Sequence, residues 1–378
     1  MKKFHVLTTA LAAAAFLVGC GGNEAGDQNP RVAFTQMVSF GDSLSDVGSY
    51  NVGIVAAAGG GHYSVNGQGA TGLLYTNWTE FLSATLKLSQ PCAAETGLNT
   101  LPIAPGYAPV PATFHDASTG GTCTNYAQGG SRVTADVGPG NAALFNAADR
   151  TTYSNAIGQL TIPVQKQINN YLTNNGGKFS ASQLVTVFAG GNDIFINLGG
   201  VAAGLETPTD AVTAMGTAGA QLAAYVNQLI VANGATHVVV VNLPDVSITP
   251  LGLSEPASIQ GLIKTMTTTF NAQLQAGLTA GPSLLYVDAF TASEDQATNM
   301  AQYGLTNVST PVCDPAKASS SLICTKASLI ADVAPATPTD PATKANTYEY
   351  ADTVHPTPYG YRLLAELVGE QLAIKGWL

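Results

Sequence analysis

Met37-Val38-Ser39-Phe40-Gly41-Asp42-Ser43-Leu44 reads as a short buried strand that ends in a tight turn carrying a serine. Apolar runs of similar length recur at Leu184–Phe188, Val238–Val241 and Leu284–Val287. β-branched residues dominate Val238–Val241, the signature of a strand buried on both faces. Longer patterns of helical spacing lie between the runs: Thr76–Leu86 with Asn77 as a cap, Ile157–Leu172, Pro208–Asn233 before Gly234, and Pro256–Leu278 before Gly281-Pro282. Strands alternating with helices predict an α/β fold with a parallel sheet covered on both sides. Such sheets bind ligands outside the carboxyl ends of their strands, which gathers Ser43 and Asn192 at one edge. A last helix is expected over Pro358–Leu372. Its stripe of Leu363, Leu364, Leu367, Val368 and Leu372 would dock on the core and fix the loop before it.

Three further patterns follow Gly41-Asp42-Ser43-Leu44 in chain order: Asn125-Tyr126-Ala127-Gln128-Gly129-Gly130, Gly190-Gly191-Asn192-Asp193 and Asp352-Thr353-Val354-His355. Each alone is weak. All four in one order arise by chance in roughly a few chains per 100,000 of this composition. Their chemistry is coherent. Ser43 is a candidate nucleophile, inert until a base takes its proton. His355 alone of the five histidines has an aspartate three residues before it and a proline after it. A turn of that spacing lets Asp352 reach Nδ1 while Nε2 faces Ser43. Gly130, Asn192 and the Ser43 N–H are candidate oxyanion donors, with Gly129 the alternative if the register moves by one. Asp193 is expected to brace its own loop. His5, His62, His115 and His237 read as leader, structural or exposed positions. No Gly-x-Ser-x-Gly elbow occurs.

These blocks resemble the GDSL, or SGNH, hydrolase family, with Ser43, Gly130, Asn192 and His355 on its four named positions and Asp352 as the triad acid. The stretch from Ser39 to Asp46, and Asn242-Leu243-Pro244-Asp245, are similar to its secreted bacterial esterase and lipase branch. The resemblance spans about residues 35 to 372. It implies a flavodoxin-like three-layer α/β/α sandwich with a mostly parallel sheet of about five strands. The second strand is expected just before Asn125. The implied activity is hydrolysis of carboxylic esters through an acyl-enzyme, with no cofactor and no metal. A phospholipase or lipid acyltransferase, or a glycan deacetylase, would use the same triad. A non-catalytic surface-binding lipoprotein is the reading from another class.

The chain has 378 residues, 10% of them charged, and a formal net charge of −10. An acidic surface argues against nucleic-acid binding. Residues 1–19 read as a lipoprotein signal peptide. Lys2 and Lys3 precede an apolar stretch, Val6–Val18, too short to span a bilayer, and Leu17-Val18-Gly19-Cys20 is similar to a bacterial lipobox. Cleavage before Cys20 and its lipidation would anchor the chain to a membrane. Gly21 stands where an aspartate would signal inner-membrane retention, so the outer membrane is the expected address. A cut within Ala12–Ala15 is the alternative and would leave the product periplasmic or secreted. Removing residues 1–19 takes two bases and no acid, moving the charge to −12.

Residues 20–33 read as a flexible tether. Residues 34–378 read as a single domain with loop insertions at about 48–75, 88–124 and 292–350. The first two insertions, and the part of the third near His355, are expected to shape the acyl pocket. Cys92, Cys123, Cys313 and Cys324 remain after Cys20 is used, an even number in an exported chain. Three connectivities are open. Cys92–Cys123 with Cys313–Cys324 is preferred because each closes a local loop. Each bridge would contribute on the order of 3 kcal/mol. A zinc site is the weaker rival, since the ligand spacings are wrong. The expected partner is a small-molecule or lipid ester.

Overall fold

Strand β1 (Gln36–Gly41) enters the core at its second residue and stays buried to its end. The computed structural model to which it belongs describes residues 32–98, 110–139, 145–146, 149–153 and 161–378. The expected signal peptide, Cys20 and most of the tether lie outside these residues. Two antiparallel ribbons follow β1: β2 (Glu95–Leu98) with β3 (Val110–Phe114), and β4 (Phe145–Asn146) with β5 (Asp149–Tyr153). The main sheet continues with β6 (Gln183–Phe188), β7 (Val238–Val241) and β8 (Leu284–Val287). Its order is β1-β6-β7-β8, and all three pairings are parallel. Gly41 lies opposite Phe188, so β1 and β6 end level with each other.

Among the described residues the sheet has four strands rather than five. At the place expected for the second strand Asn125 makes only isolated parallel bridges, one to Ser39 and one to Ala93. The chain still runs along that edge of β1. The Ser39 N–H donates to the Thr124 carbonyl at 3.0 Å, and the Tyr126 N–H donates to the Ser39 carbonyl at 2.8 Å. Asn125 interrupts the ladder by closing its own turn, its Oδ1 accepting the Ala127 N–H at 3.0 Å. With this segment counted, the spatial order is that of a doubly wound sheet whose order reverses beside β1.

The helices are α1 (Gly53–Ala57), α2 (Trp78–Thr85), α3 (Val164–Asn174), α4 (Gly191–Ala202), α5 (Pro208–Tyr225), α6 (Pro250–Ser254), α7 (Ala257–Gly277), α8 (Ala289–Thr298) and α9 (Pro358–Lys375). They flank the sheet as a three-layer fold requires, with α5 packed on α7 and α2 packed on α9. Sequence chemistry sets their ends. Asn77 and Glu80 form a capping box on α2, and Thr207 and Asp210 form one on α5, with Pro208 in the first turn. Beyond α5 the coil runs on through a π turn and a 3₁₀ turn to Gly234. Helix α3 starts at Val164, later than its periodicity predicts, while residues 157–160 lie outside the described set. Its start is set by Pro163 as cap and by the site loops, which engage the Ile162 backbone. Gln128 Oε1 accepts the Ile162 N–H at 2.6 Å, and the Ser131 hydroxyl donates to the Ile162 carbonyl at 2.8 Å.

The segment expected as a loop over 292–350 opens as helix, since α8 runs to Thr298. The remainder builds a second hydrophobic cluster with the first insertion, joining Val65 and Ala70 to Val312, Leu329, Val333 and Tyr348. Asn66 cross-links the two, its Nδ2 donating to the Ser321 carbonyl at 2.8 Å and to the Cys324 carbonyl at 3.0 Å. Both preferred disulfides are formed, Cys92–Cys123 and Cys313–Cys324. Among the described residues no helix is long and apolar enough to cross a membrane.

Candidate active site

The turn after β1 presents Ser43. A Cβ on Gly41 would come within 2.3 Å of the Phe188 carbonyl oxygen, so only glycine lets β1 and β6 end side by side. Asp42 Oδ1 then accepts the Leu44 N–H at 3.0 Å. Gln167 of α3 clamps the strand end, accepting the Gly41 N–H at 2.9 Å and donating to the Gly41 carbonyl at 2.8 Å. Ser43 emerges from this turn almost fully buried.

The loop before α9 brings His355 to it. Asp352 Oδ1 accepts the N–H groups of Val354 at 3.0 Å and His355 at 2.8 Å, which curls the loop so that its imidazole faces inward. His355 Nδ1 lies 2.8 Å from Asp352 Oδ2, and Nε2 lies 2.8 Å from Ser43 Oγ. The Ser321 N–H donates to Asp352 Oδ2 at 3.1 Å, in the segment closed by Cys313–Cys324. Burial alone would raise the Asp352 carboxyl. The charge of His355 and these hydrogen bonds more than offset it and hold the carboxyl well below the ordinary carboxylate range. The Tyr63 ring lies over the imidazole, with centroids 4.8 Å apart.

On the opposite side, Asn192 occupies the first turn of α4, whose positive N-terminal end therefore points at the site. A small cavity of about 40 Å³ has Ser43, Asn192 and His355 in its wall. One amide hydrogen of Asn192 goes to the Ser131 carbonyl at 2.8 Å; an amide has two to give. The Gly129 N–H is committed to Asp46 Oδ2 at 2.9 Å. That leaves Gly130, at φ 83°, as the glycine whose N–H is not so engaged. Asp46 ties this glycine loop to the Ser43 loop, accepting as well from the N–H groups of Gly48 and Ser49 at 2.9 and 2.7 Å. Asp193 does not brace its own loop. It accepts from Arg132 Nε at 2.9 Å and from the Val133 N–H at 3.0 Å, so it secures the residues just after Gly130.

The remaining described histidines sit apart from Ser43. His62 pairs with Thr76, His115 with Thr96, and His237 packs against Trp377. Asp42 carries a second, buried oxygen without a partner among the described residues, and burial pushes its carboxyl up to about 7. Sequence reasoning missed the work of Asp46, Asn125, Tyr63, Arg132 and Ser321. Asp46 and Asn125 stood inside the quoted blocks, where any buried carboxylate or amide beside a glycine turn is a candidate brace. Tyr63 and Ser321 carry no local signal.

A serine hydroxyl, an imidazole with a carboxylate at its Nδ1, and a side-chain amide thus converge at the carboxyl ends of β1 and β6. The sequence profile of the GDSL-like Lipase/Acylhydrolase family matches residues 37–368. No curated protein matches the chain.

Proposed function

The chain belongs to the GDSL-like lipase/acylhydrolase family, and from that premise we propose that it is an exported serine esterase or lipase, hydrolysing carboxylic esters through an acyl-enzyme. The observation that carries this reading is the 2.8 Å contact between Ser43 Oγ and His355 Nε2. His355 takes the Ser43 proton as Oγ adds to the ester carbonyl, and Asp352 holds the tautomer and stabilises the imidazolium. The Ser43 N–H, the Gly130 N–H and Asn192 Nδ2 receive the oxyanion. His355 then protonates the departing alcohol, activates water in the same place, and the acid leaves.

Residues 34–378 act as one catalytic domain behind the tether. Two disulfides support an extracytoplasmic setting. Lipidation at Cys20 would place the enzyme on the outer membrane. Cleavage of p-nitrophenyl butyrate is the direct test: wild type turns it over and Ser43→Ala does not. Equal rates for the two proteins would end the reading. The anchor has a separate test, in which Cys20→Ala moves the protein from the membrane fraction to the soluble one.

A further inference from the structure

A second cavity, of about 70 Å³, opens beside the one at Ser43. The two share Leu44, Pro244, Thr249 and Val354 in their walls. The far wall is made largely of apolar groups, among them Ala289, Leu364 and Leu367. Thr249, Ser293, Gln296 and Tyr350 also line it, and Glu349 is the one carboxyl. It lines the cavity, is only 9% exposed, and its Oε2 is buried with no hydrogen-bond partner among the described residues. Its position is built rather than incidental. A Cβ on Gly360, in the first turn of α9, would come within 2.7 Å of both the Glu349 carbonyl oxygen and its Oε1, so this glycine admits the Glu349 backbone and carboxyl together. Buried polar atoms in native proteins are nearly always met by a partner. An apolar side chain would fill the same wall without that demand.

We propose that the acyl group taken by this site carries a hydroxyl, which Glu349 receives at the end of the second cavity. The proposal rests on the esterase reading above and names the substrate class within it. The acyl group, not the alcohol, belongs here. It stays on Ser43 through both half-reactions, whereas the alcohol must leave before water enters. The group is short. An apolar cavity of about 150 Å³ holds benzene, so 70 Å³ accommodates roughly three or four heavy atoms. A hydroxyl suits Glu349 in either protonation state, because both leave an acceptor oxygen. An ammonium would lose its hydration against walls that are largely apolar, and a second carboxylate would be repelled by the ionised form that prevails at the pH of the test.

The test compares methyl butanoate with methyl 3-hydroxybutanoate, and methyl hexanoate with methyl 6-hydroxyhexanoate, by proton release at a fixed pH of about 8. Wild type should favour the hydroxylated member of at least one pair by about tenfold in kcat/KM. Glu349→Gln keeps an acceptor and should keep most of the preference; Glu349→Leu should reverse it while still hydrolysing methyl hexanoate. Equal rates within both pairs for wild type, or an unchanged preference in Glu349→Leu, would overturn the assignment. Cleavage without hydroxyl preference counts against this proposal alone. Wild type no better than Ser43→Ala on every ester would sink the esterase reading, and this proposal with it.

Discussion

In the proposed mechanism Ser43, His355 and Asp352 divide one task among three residues, so losing Ser43 or His355 should be costly. Ser43→Ala or His355→Ala should lower kcat by about 10⁴- to 10⁶-fold, because either one alone leaves no activated nucleophile. Asn192→Ala should cost about 10²- to 10³-fold in kcat, with KM little changed, since its amide acts on charge that exists only in the transition state. Steady-state kinetics on p-nitrophenyl butyrate would check both, and an Asn192→Ala enzyme altered only in KM would remove Asn192 from the oxyanion site. That Ser43, Asp352 and His355 would meet was legible in the chain because the expected chemistry calls for these side-chain types beside turn-forming glycine, aspartate and proline. Tyr63 and Ser321 were not. Tyr63 matters only because it lies over a ring carried near residue 355, and Ser321 only because its N–H meets Asp352. No local pattern encodes a contact made across such separations.

Among the elements, the third insertion reaches the site through Asp352. It packs on the first insertion, and its Cys313–Cys324 bridge closes the turn whose Ser321 N–H steadies Asp352. Replacing Cys313 and Cys324 by alanine should therefore lower kcat as well as stability. The matching Cys92 and Cys123 replacement should lower stability, by about 2–5 kcal/mol, more than it lowers kcat. Thermal unfolding and kinetics on the two double variants would separate them; equal kcat losses would deny the third insertion its special part. Periodicity exposed Val238–Val241 and the long helices because burial there repeats along the chain. It failed at Asn125, where a side chain in its own turn cuts short a strand that the backbone nonetheless follows. It failed again at α8, whose sequence AFTASEDQAT has little apolar stripe to read.

Taken as a whole, the molecule stores two opposed responses to pH. Burial pushes Asp42 and Glu349 up to about 7. Folding then favours their protonated forms, so the stability they contribute is complete below about pH 4 and is lost as the pH rises through about 7. Asp352 runs the other way. Its carboxyl is held low, and its contribution is present above about pH 4 and lost in stronger acid. The fall in Tm between about pH 5 and pH 8 should accordingly be smaller for Glu349→Gln than for wild type. Calorimetry at the two pH values checks this, and parallel profiles would remove Glu349 from the balance.

Ser43 and His355, the proposed nucleophile and base, stand 312 positions apart in the chain. During translation the serine is therefore made long before the imidazole that arms it. In the proposed mechanism a nascent or prematurely terminated polypeptide therefore carries the hydroxyl without its base, and docking of α9 behind its loop is the step that would complete the pair.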